Sequence, residues 1–284
     1  MTGPQWSTAL ALARAAHPEP GGAVTIALTL LAVGVGHRGW ALAGVAAAVG
    51  ATQLAVGWVN DWLDADRDAT AGRTDKPVAA GAVGRRTVGV AGLLSALAVP
   101  LLGLPFGPAA TVCITLVAVF ALLYDWPLKS TALSIVPYLV AFGLLPAFVV
   151  LALPGGPLPP WWLVASGALL GGGAHFANVL PDLADDAATG VRGLPHRLGA
   201  AAAQVAAAGL LLAATCVLVF GPAGPPSWAG LAAVAVAGVV LPMGWYAGQR
   251  ATRQARRPVA VFRAVLVVAL IDVLLLILSG AVST

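Results

Sequence analysis

Long apolar blocks of Leu, Val, Ala and Ile, separated by short polar or Gly/Pro-rich joins, dominate the chain. A membrane-spanning helix needs about 20 such residues, whereas the strands of a membrane β-barrel alternate apolar and polar positions. The pattern therefore predicts helical spans, the first of them the shortest. We expect nine, at residues 22–36, 39–62, 84–104, 107–124, 132–153, 161–181, 199–220, 228–248 and 260–280.

Composition supports a membrane location, because 60% of the 284 residues are hydrophobic and only 9% are charged. About a quarter of the residues in a soluble domain are charged. We therefore expect a single all-α integral membrane domain over residues 1–284. The net charge of +4 does not indicate nucleic-acid binding, since the basic residues lie in joins where they set orientation. Cys113 and Cys216 lie in apolar blocks and predict neither a disulfide nor a zinc site.

The joins between spans alternate in character. Those after the third, fifth and seventh spans are uncharged, whereas those after the second, fourth, sixth and eighth hold 12 of the 15 basic residues. The positive-inside rule then places the N-terminus and the polar joins in the cytoplasm. The Ala, Gly, Val and Arg bias is typical of a high-GC coding sequence and predicts a bacterial cell membrane. Most acidic residues lie in or beside the same joins, although acids contribute little to orientation.

The first cluster of carboxylates ends the second span, in the sequence NDWLDADRD at residues 60–68. Helical residues four apart are separated by about 40° around the axis, so Asn60, Asp64 and Asp68 share one face with Asp61 nearby. Carboxylates so arranged repel one another. Mg²⁺ would relieve the repulsion, because it binds one or two carboxylates together with water and phosphate oxygens.

A second cluster ends the sixth span, where Asp182 and Asp186 are four residues apart and Asn178 and Asp185 lie close by. Two carboxylate-bearing helix ends on one side, with basic residues in the adjoining joins, predict a site for a metal-bridged diphosphate. The alternative for either cluster is a set of solvated loop acids paired with nearby Arg and Lys. The presence of both clusters in a chain with 11 acidic residues favours the metal site.

Two further motifs accompany the clusters: DKPVAAG at residues 75–81 and YDWPLK at residues 124–129. The four motifs together resemble the signatures of the UbiA superfamily of intramembrane prenyltransferases. Lys76 stands where the family usually has Arg, which keeps the charge but loses bidentate phosphate geometry. The order of the motifs and their placement at the ends of spans two, four and six extend the resemblance over essentially the whole chain.

The resemblance implies nine helices around a central cavity, with cytoplasmic loops forming a cap. It also implies that Mg²⁺ and a polyprenyl diphosphate bind at the two aspartate motifs. Ionisation of the carbon–oxygen bond would leave an allylic cation, which a small lipophilic acceptor attacks. Besides these substrates and membrane lipids we infer no obligate protein partner.

Residue roles follow from the same resemblance. The expected metal ligands are Asn60, Asp61, Asp64, Asp68, Asp182 and Asp186. Of these, Asp61, Asp64 and Asp182 are the expected catalytic residues. Lys129 and Lys76 are expected to contact the diphosphate, with Arg73 and Arg197 as further candidates and Tyr124 as a hydroxyl donor.

Two other functions are compatible with parts of this pattern. Some relatives act as membrane-bound terpene cyclases, in which the substrate's own double bonds capture the cation, and the apolar character of the remaining chain keeps this alternative open. A transporter is the other alternative, but its ion sites would lie near the membrane midplane at interrupted helices. Here the carboxylates end spans, and no internal repeat is visible.

Three ionisable residues outside the motifs have two interpretations each. Arg14, which precedes the first span, either sets topology or lies near the substrate. His175 either contacts a substrate or is a satisfied imidazole within a helix. Asp272 lies inside the ninth apolar block, where an ionisable residue suggests function or a local pair with Arg263.

Overall fold

The computed structural model describes residues 7–188, residues 190–254 and isolated positions between 260 and 274. In this part of the chain the regular structure is entirely helical. Short 3₁₀ turns also occur at Leu104–Phe106, Leu128–Ser130 and Leu180–Asp182. The helices are α1 (Thr8–Ala15), α2 (Pro18–Gly34), α3 (Gly39–Thr70), α4 (Arg85–Gly103), α5 (Pro108–Asp125), α6 (Val136–Leu151), α7 (Trp161–Val179), α8 (Leu183–Ala188), α9 (Leu194–Leu198), α10 (Ala200–Phe220) and α11 (Trp228–Arg253).

Within the described residues, six helices are long and apolar enough to cross a membrane: α3, α4, α5, α7, α10 and α11. The apolar helices α2 and α6 are shorter, with 17 and 16 residues. Eight of the predicted apolar blocks thus coincide with helices. The ninth block, including Asp272, falls largely outside the described residues, so the count of nine spans stays a prediction.

Helix α3 extends well beyond its apolar block and carries the first carboxylate cluster on a continuous helix of 32 residues. Its polar end contains neither Gly nor Pro between residues 58 and 70, so nothing in that stretch interrupts the helix. The helix ends before Gly72, whose φ of 66° lies in the left-handed region. The predicted helical face of Asn60, Asp64 and Asp68 is therefore present.

An N-terminal helix that the hydropathy pattern did not predict, α1, packs beside this polar end of α3. Ala11 and Ala15 are fully buried and join a small apolar cluster with Val83 and Val88. The Trp58 indole N–H donates a hydrogen bond of 2.9 Å to the Leu12 carbonyl. The N-terminal segment is thus fixed to α3 and positions residues 14–20 over the carboxylate cluster.

Glycines allow close approach of helices at two places that matter for the site. On α7, a Cβ at Gly171 would overlap Phe142 and the Tyr138 carbonyl, so α6 and α7 pack with their backbones close together. On α3, a Cβ at Gly57 would overlap the backbone of Ala16. The turn between α1 and α2 therefore rests directly on α3.

We expect Gly57→Ala to destabilise the protein by about 1–3 kcal/mol, because the overlapping atoms belong to a backbone that cannot rotate away. Thermal unfolding in detergent measures the effect. Gly209→Ala is the matched control, since Gly209 lies within α10 with nothing within 4 Å of an added Cβ. That control should unfold at the wild-type temperature or above it. Equal midpoints of thermal unfolding for the two variants would show that the close contact between Gly57 and Ala16 does not require glycine.

Candidate functional site

A cavity of about 660 Å³ lies at one end of the helix bundle. It is bounded by the C-terminal ends of α3, α5 and α7, the turn between α1 and α2, and the segments at 71–84 and 190–199. Its lining is unusually rich in charge for this chain. The charged side chains that line it are Arg14, Glu19, Asp64, Arg67, Asp68, Arg73, Asp75, Lys76, Lys129, Asp182 and Asp186.

Asp64 is the most heavily paired carboxylate of the cavity. The Lys129 ammonium donates to both of its oxygens, at 2.6 and 2.7 Å, and the Arg67 guanidinium donates to Oδ2 at 2.7 Å. The Asn60 amide nitrogen adds a longer bond of 3.3 Å to the same oxygen. Because Asp64 is only 8% exposed, these donors replace the water that its charge would otherwise require.

Asp61 lies behind the cavity wall and is 1% exposed. Its Oδ1 accepts a hydrogen bond of 2.6 Å from the Lys76 ammonium and lies 2.8 Å from His17 Nε2. His17 has a φ of 52°, a conformation that costs a non-glycine residue about 1–2 kcal/mol. The contact with Asp61 compensates for this strain. Among the described residues, Oδ2 of Asp61 has no hydrogen-bond partner.

Asp125, at the end of α5, is a buried carboxylate to which the sequence analysis gave no role. Its Oδ1 accepts a hydrogen bond of 3.2 Å from the Asn60 amide nitrogen. Asn60 therefore donates to carboxylates on two helices, Asp64 on its own and Asp125 on α5. Because the amide nitrogen of Asn60 faces these two carboxylates, its amide oxygen faces away from them.

The second carboxylate cluster lies on two consecutive elements, because the helix changes to a 3₁₀ turn at Leu180–Asp182 before α8 begins. Pro181 lacks a backbone N–H and so cannot continue the α7 hydrogen-bond ladder. Asp182 and Asp186 nevertheless both line the cavity. Asp186 lies 3.6 Å from His196 Nε2. Burial raises the pKa of Asp186 and lowers the pKa of His196, although each group opposes the shift of the other.

The segment after α3 contributes a second ion pair to the cavity rim. The Arg73 guanidinium forms two parallel hydrogen bonds of 2.9 Å with the Asp75 carboxylate. These bonds lower the pKa of Asp75 to about 2 and raise the pKa of Arg73. Both side chains face the cavity, next to Lys76.

Aromatic rings lie at the inner end of the cavity. The Tyr124 ring packs edge-on against Tyr138 with centroids 4.9 Å apart, and His175 lies 5.7 and 5.0 Å from these two rings. Tyr138 stacks in turn on Phe142, at 5.7 Å. Phe142 belongs to the lining of a small apolar cleft of about 90 Å³ between α2, α6, α7 and α10. The rings therefore lie between the charged cavity and the apolar interior.

The cavity brings together nine of the predicted site residues. They are Asn60, Asp64, Asp68, Arg73, Lys76, Tyr124, Lys129, Asp182 and Asp186. Asp61 is held behind the wall by Lys76 and His17. Arg197 lies apart from the cavity: its side chain is exposed, and its Nε donates to the Arg192 carbonyl at 3.0 Å. The chemical roles of all these residues remain predictions.

Comparison with known proteins identifies the family to which the chain belongs. The sequence profile described as the UbiA prenyltransferase family matches residues 22–268. The chain belongs to this family. No curated protein matches the sequence at a significant level.

Three solved structures share the fold of this UbiA family member. A UbiA homologue from Aeropyrum pernix K1 is 20% identical, with a TM-score of 0.70 over 90% of this chain and 96% of its own. A UbiA homologue from Archaeoglobus fulgidus, bound to GPP and Mg²⁺, is 12% identical, with a TM-score of 0.72 over 95% and 98%. A digeranylgeranylglyceryl phosphate synthase is 17% identical, with a TM-score of 0.67 over 97% and 98%. At these identities the likeness establishes the fold alone.

The cavity residues of this UbiA protein suit a metal ion that is shared with a substrate. Within the described ranges, no three Asp, Glu, His or Cys side chains converge closely enough to hold an ion by themselves. The donors that are present are carboxylate and amide oxygens, which Mg²⁺ prefers, and it commonly completes its shell with phosphate oxygens and water.

Several residues in the cavity lining or in contact with it had no assigned role in the sequence analysis. His17, Arg67, Asp125 and His196 all contact predicted site residues in the structure. Asp125 falls within the YDWPLK motif, which could have drawn attention to it. His17 contacts a residue 44 positions away, and no local sequence signal indicates such a pair.

We expect Lys76→Met to destabilise this UbiA protein by up to about 3–5 kcal/mol, because it leaves the buried Asp61 carboxylate without its cationic partner. Thermal unfolding in detergent is the measurement. Combining it with Asp61→Asn should recover most of the loss, since the buried charge is then absent.

Arg85→Ala is the matched control for Lys76→Met. It breaks the Arg85–Asp66 ion pair, whose side chains are 44% and 85% exposed, compared with 16% and 1% for Lys76 and Asp61. Such an exposed pair contributes at most about 1 kcal/mol. If Lys76→Met and Arg85→Ala lowered the stability by equal amounts, the buried Lys76–Asp61 pair would contribute no more to stability than an exposed ion pair.

Proposed function

We propose that this chain is an Mg²⁺-dependent intramembrane prenyltransferase that ionises a polyprenyl diphosphate and transfers the prenyl group to a lipophilic acceptor, with aromatic acceptors among the candidates. The observation that carries the proposal is the charged cavity, in which both aspartate clusters and the lysines meet beside an apolar cleft. The Archaeoglobus fulgidus homologues bound to GPP or DMAPP with Mg²⁺ support this substrate class.

Charge balance explains why a metal ion is needed. Six carboxylates and five Lys or Arg side chains line the cavity, so a bare diphosphate would meet a lining with no excess of positive charge. Asn60, Asp64, Asp68, Asp182 and Asp186 would hold the ions. When bound, Mg²⁺ would supply positive charge that stabilises the diphosphate leaving group.

The basic side chains are the proposed partners of the diphosphate. Lys129 and Arg67 pair with Asp64 at the cavity wall, and Lys76 pairs with Asp61. If metal ions were held by the carboxylate oxygens, these cations would be available to pair with phosphate oxygens of the substrate. Asp61 lies behind Lys76, and its position favours holding that ammonium in place.

The prenyl chain requires an apolar path from the cavity. The C1–O bond breaks with its electron pair leaving on pyrophosphate, and the allylic cation forms beside the rings of Tyr124 and Tyr138. Aromatic faces stabilise a cation within about 6 Å. The acceptor then forms a bond to the cation and releases a proton. The apolar cleft beyond Phe142 is the proposed route for the rest of the chain.

Terpene cyclisation is the second candidate function. It is favoured by the same aromatic group of Tyr124, Tyr138 and Phe142, which is suited to guiding a cation toward the substrate's own double bonds. Both functions use the same ionisation step, so they differ only in what captures the cation.

The ionisation step can be tested with purified protein and a prenyl diphosphate alone. Purified protein should release pyrophosphate from geranyl, farnesyl or geranylgeranyl diphosphate when Mg²⁺ is present and lose this activity with EDTA. Asp64→Asn and Asp182→Asn should lower the rate by about 10²–10³-fold, the usual cost of removing a group that stabilises developing charge. Asp66→Asn is the matched control, because Asp66 is on the same helix but 85% exposed and outside the cavity lining. Its rate should stay within about twofold of wild type, in line with the small effect of most surface substitutions.

The same assay separates the two functions when it is run without and with acceptors. Turnover that begins only when a phenolic or lipid acceptor is supplied supports the transferase. Cyclic hydrocarbons or alcohols formed without an acceptor establish the cyclase. If wild type and variants are equally inactive under every condition, the enzymatic proposal is wrong.

A further prediction concerns chain length. Phe142→Ala should connect the charged cavity with the apolar cleft, raising kcat/KM for geranylgeranyl over geranyl diphosphate by about 10–200-fold, the range seen when an apolar pocket changes size. Competition between the two substrates measures the ratio. Phe106→Ala is the matched control, since Phe106 packs against Trp40 and Phe148 near the opposite end of α3. An unchanged ratio in Phe142→Ala would contradict this route.

A further inference from the structure

His175 is a buried polar residue at the inner end of the cavity, on α7 one turn before Asn178. It is 0% exposed to solvent, yet it belongs to the cavity lining. Rings of Tyr124, Tyr138 and Phe176 surround it at 5.0–5.7 Å. A buried imidazole surrounded by aromatic rings needs a hydrogen-bond partner for each of its nitrogens.

Only one of the two nitrogens has such a partner. His175 Nε2 lies 3.0 Å from the Ser134 hydroxyl oxygen. Nδ1 is buried, and it has no partner among the residues that the structure describes. Because Nδ1 belongs to a residue that lines the cavity, a bound molecule is the natural partner for it.

The Ser134 contacts determine which nitrogen carries the proton. The Leu194 backbone N–H donates to the Ser134 oxygen at 2.9 Å, which uses one lone pair of the hydroxyl. Ser134 is itself 0% exposed, so its single proton needs an acceptor nearby. His175 Nε2 is that acceptor, since the opposite arrangement would leave the buried hydroxyl proton without a bond. Nε2 is therefore the unprotonated nitrogen, and Nδ1 carries the hydrogen.

The loop that carries Leu194 is shaped for this contact. A Cβ at Gly193 would lie 2.9 Å from the Ser134 oxygen and would also press on the Lys129 carbonyl. The absence of a side chain there lets the Leu194 amide reach Ser134. The loop after α8 is thereby coupled to the imidazole through one hydroxyl group.

We propose that His175 is a substrate-binding residue, fixed as the neutral Nδ1–H tautomer by Ser134 and donating a hydrogen bond from Nδ1 to an oxygen atom of the bound substrate. This inference rests on the prenyltransferase function proposed above. The oxygen belongs either to the diphosphate or to the acceptor, and both offer the lone pair that an N–H requires. A neutral imidazole also places no positive charge beside the allylic cation.

The test compares three substitutions by the KM of each substrate. His175→Phe keeps a ring but removes the donor, and should raise one KM at least about fivefold, the usual effect of losing a buried hydrogen bond. His175→Asn keeps an N–H close to the Nδ1 position and should retain part of the affinity. Ser134→Ala frees Nε2, so the imidazole can adopt the other tautomer and KM should rise by an intermediate factor.

Thr52→Val is the matched control for Ser134→Ala. Thr52 is a buried residue on α3 whose hydroxyl donates to the Ala48 carbonyl at 3.0 Å, and it lines neither the charged cavity nor the apolar cleft. Removal of this hydroxyl should leave both KM values unchanged. A rise in the KM of the prenyl diphosphate in His175→Phe assigns the oxygen to the diphosphate, and a rise confined to the acceptor assigns it there.

A spectroscopic measurement tests the tautomer independently of turnover. The chain has four histidines, so ¹⁵N-histidine labelling and a difference spectrum against His175→Asn isolate the His175 signals. We expect the proton on Nδ1, and a shift of that nitrogen when Mg²⁺ and a non-hydrolysable prenyl thiodiphosphate, or the acceptor, are added.

Two results would overturn the inference while the proposed function stands: a proton found on Nε2, or wild-type KM values for both substrates in an active His175→Phe variant. Failure of the proposed function looks different. In that case the wild type itself neither releases pyrophosphate nor binds the thiodiphosphate analogue, and the binding role of His175 falls with it.

Discussion

Buried carboxylates at the end of a membrane-embedded helix are the constraint on which this structure depends. A carboxylate removed from water must be paired, since an uncompensated buried charge is strongly destabilising. The lysine partners of Asp61 and Asp64 come from outside α3: Lys76 from the segment after it, and Lys129 from the segment after α5. The ion pairs that neutralise the carboxylates of α3 therefore also attach the segments that follow α3 and α5 to this helix, and these segments form part of the cavity wall.

This pairing also helps to explain why, in the part of the chain that the structure describes, no three Asp, Glu, His or Cys side chains could hold a metal ion by themselves. Asp64, a carboxylate expected to hold a cation, is already paired with the Lys129 ammonium and the Arg67 guanidinium, and Asp61 is paired with the Lys76 ammonium. In the proposed function, binding of a metal diphosphate would be an exchange of partners, in which carboxylates would pass to the metal and basic side chains to phosphate. Such an exchange would keep charge compensated and would avoid the large desolvation cost of an isolated buried ion.

Sequence reasoning predicted the parts of the site that follow from helical periodicity and motif order. The common face of Asn60, Asp64 and Asp68 is present because α3 continues without interruption to Thr70. Sequence reasoning did not predict that Asp61 lies outside the cavity. Helix geometry does separate Asp61 from Asp64 by about 60°, because three residues rotate a helix by about 300°, but this angle alone does not show which residues the cavity includes. Nor could sequence reasoning predict contacts between distant segments, such as His17 with Asp61, or the outward turn of Arg197 to the Arg192 carbonyl. These depend on how loops pack, for which no periodic signal exists.

The face of α7 that looks into the bundle shows how one helix can match an amphipathic substrate. Residues at spacings of three and four along it change steadily in character toward the apolar interior. From the cavity inward they are Asp182, in the 3₁₀ turn that follows α7, and then Asn178, His175, Gly171 and Gly167. In the proposed function the carboxylate and amide would face the charged head group and the imidazole would lie next to it, whereas the two glycines pack closely against α6. A diphosphate with a short apolar group could satisfy the outer part but would leave the cleft unfilled, whereas an uncharged lipid could fill the cleft but would leave the ion pairs unused. Recognition at both ends of one helix face therefore favours a molecule that carries a diphosphate and a long prenyl chain together.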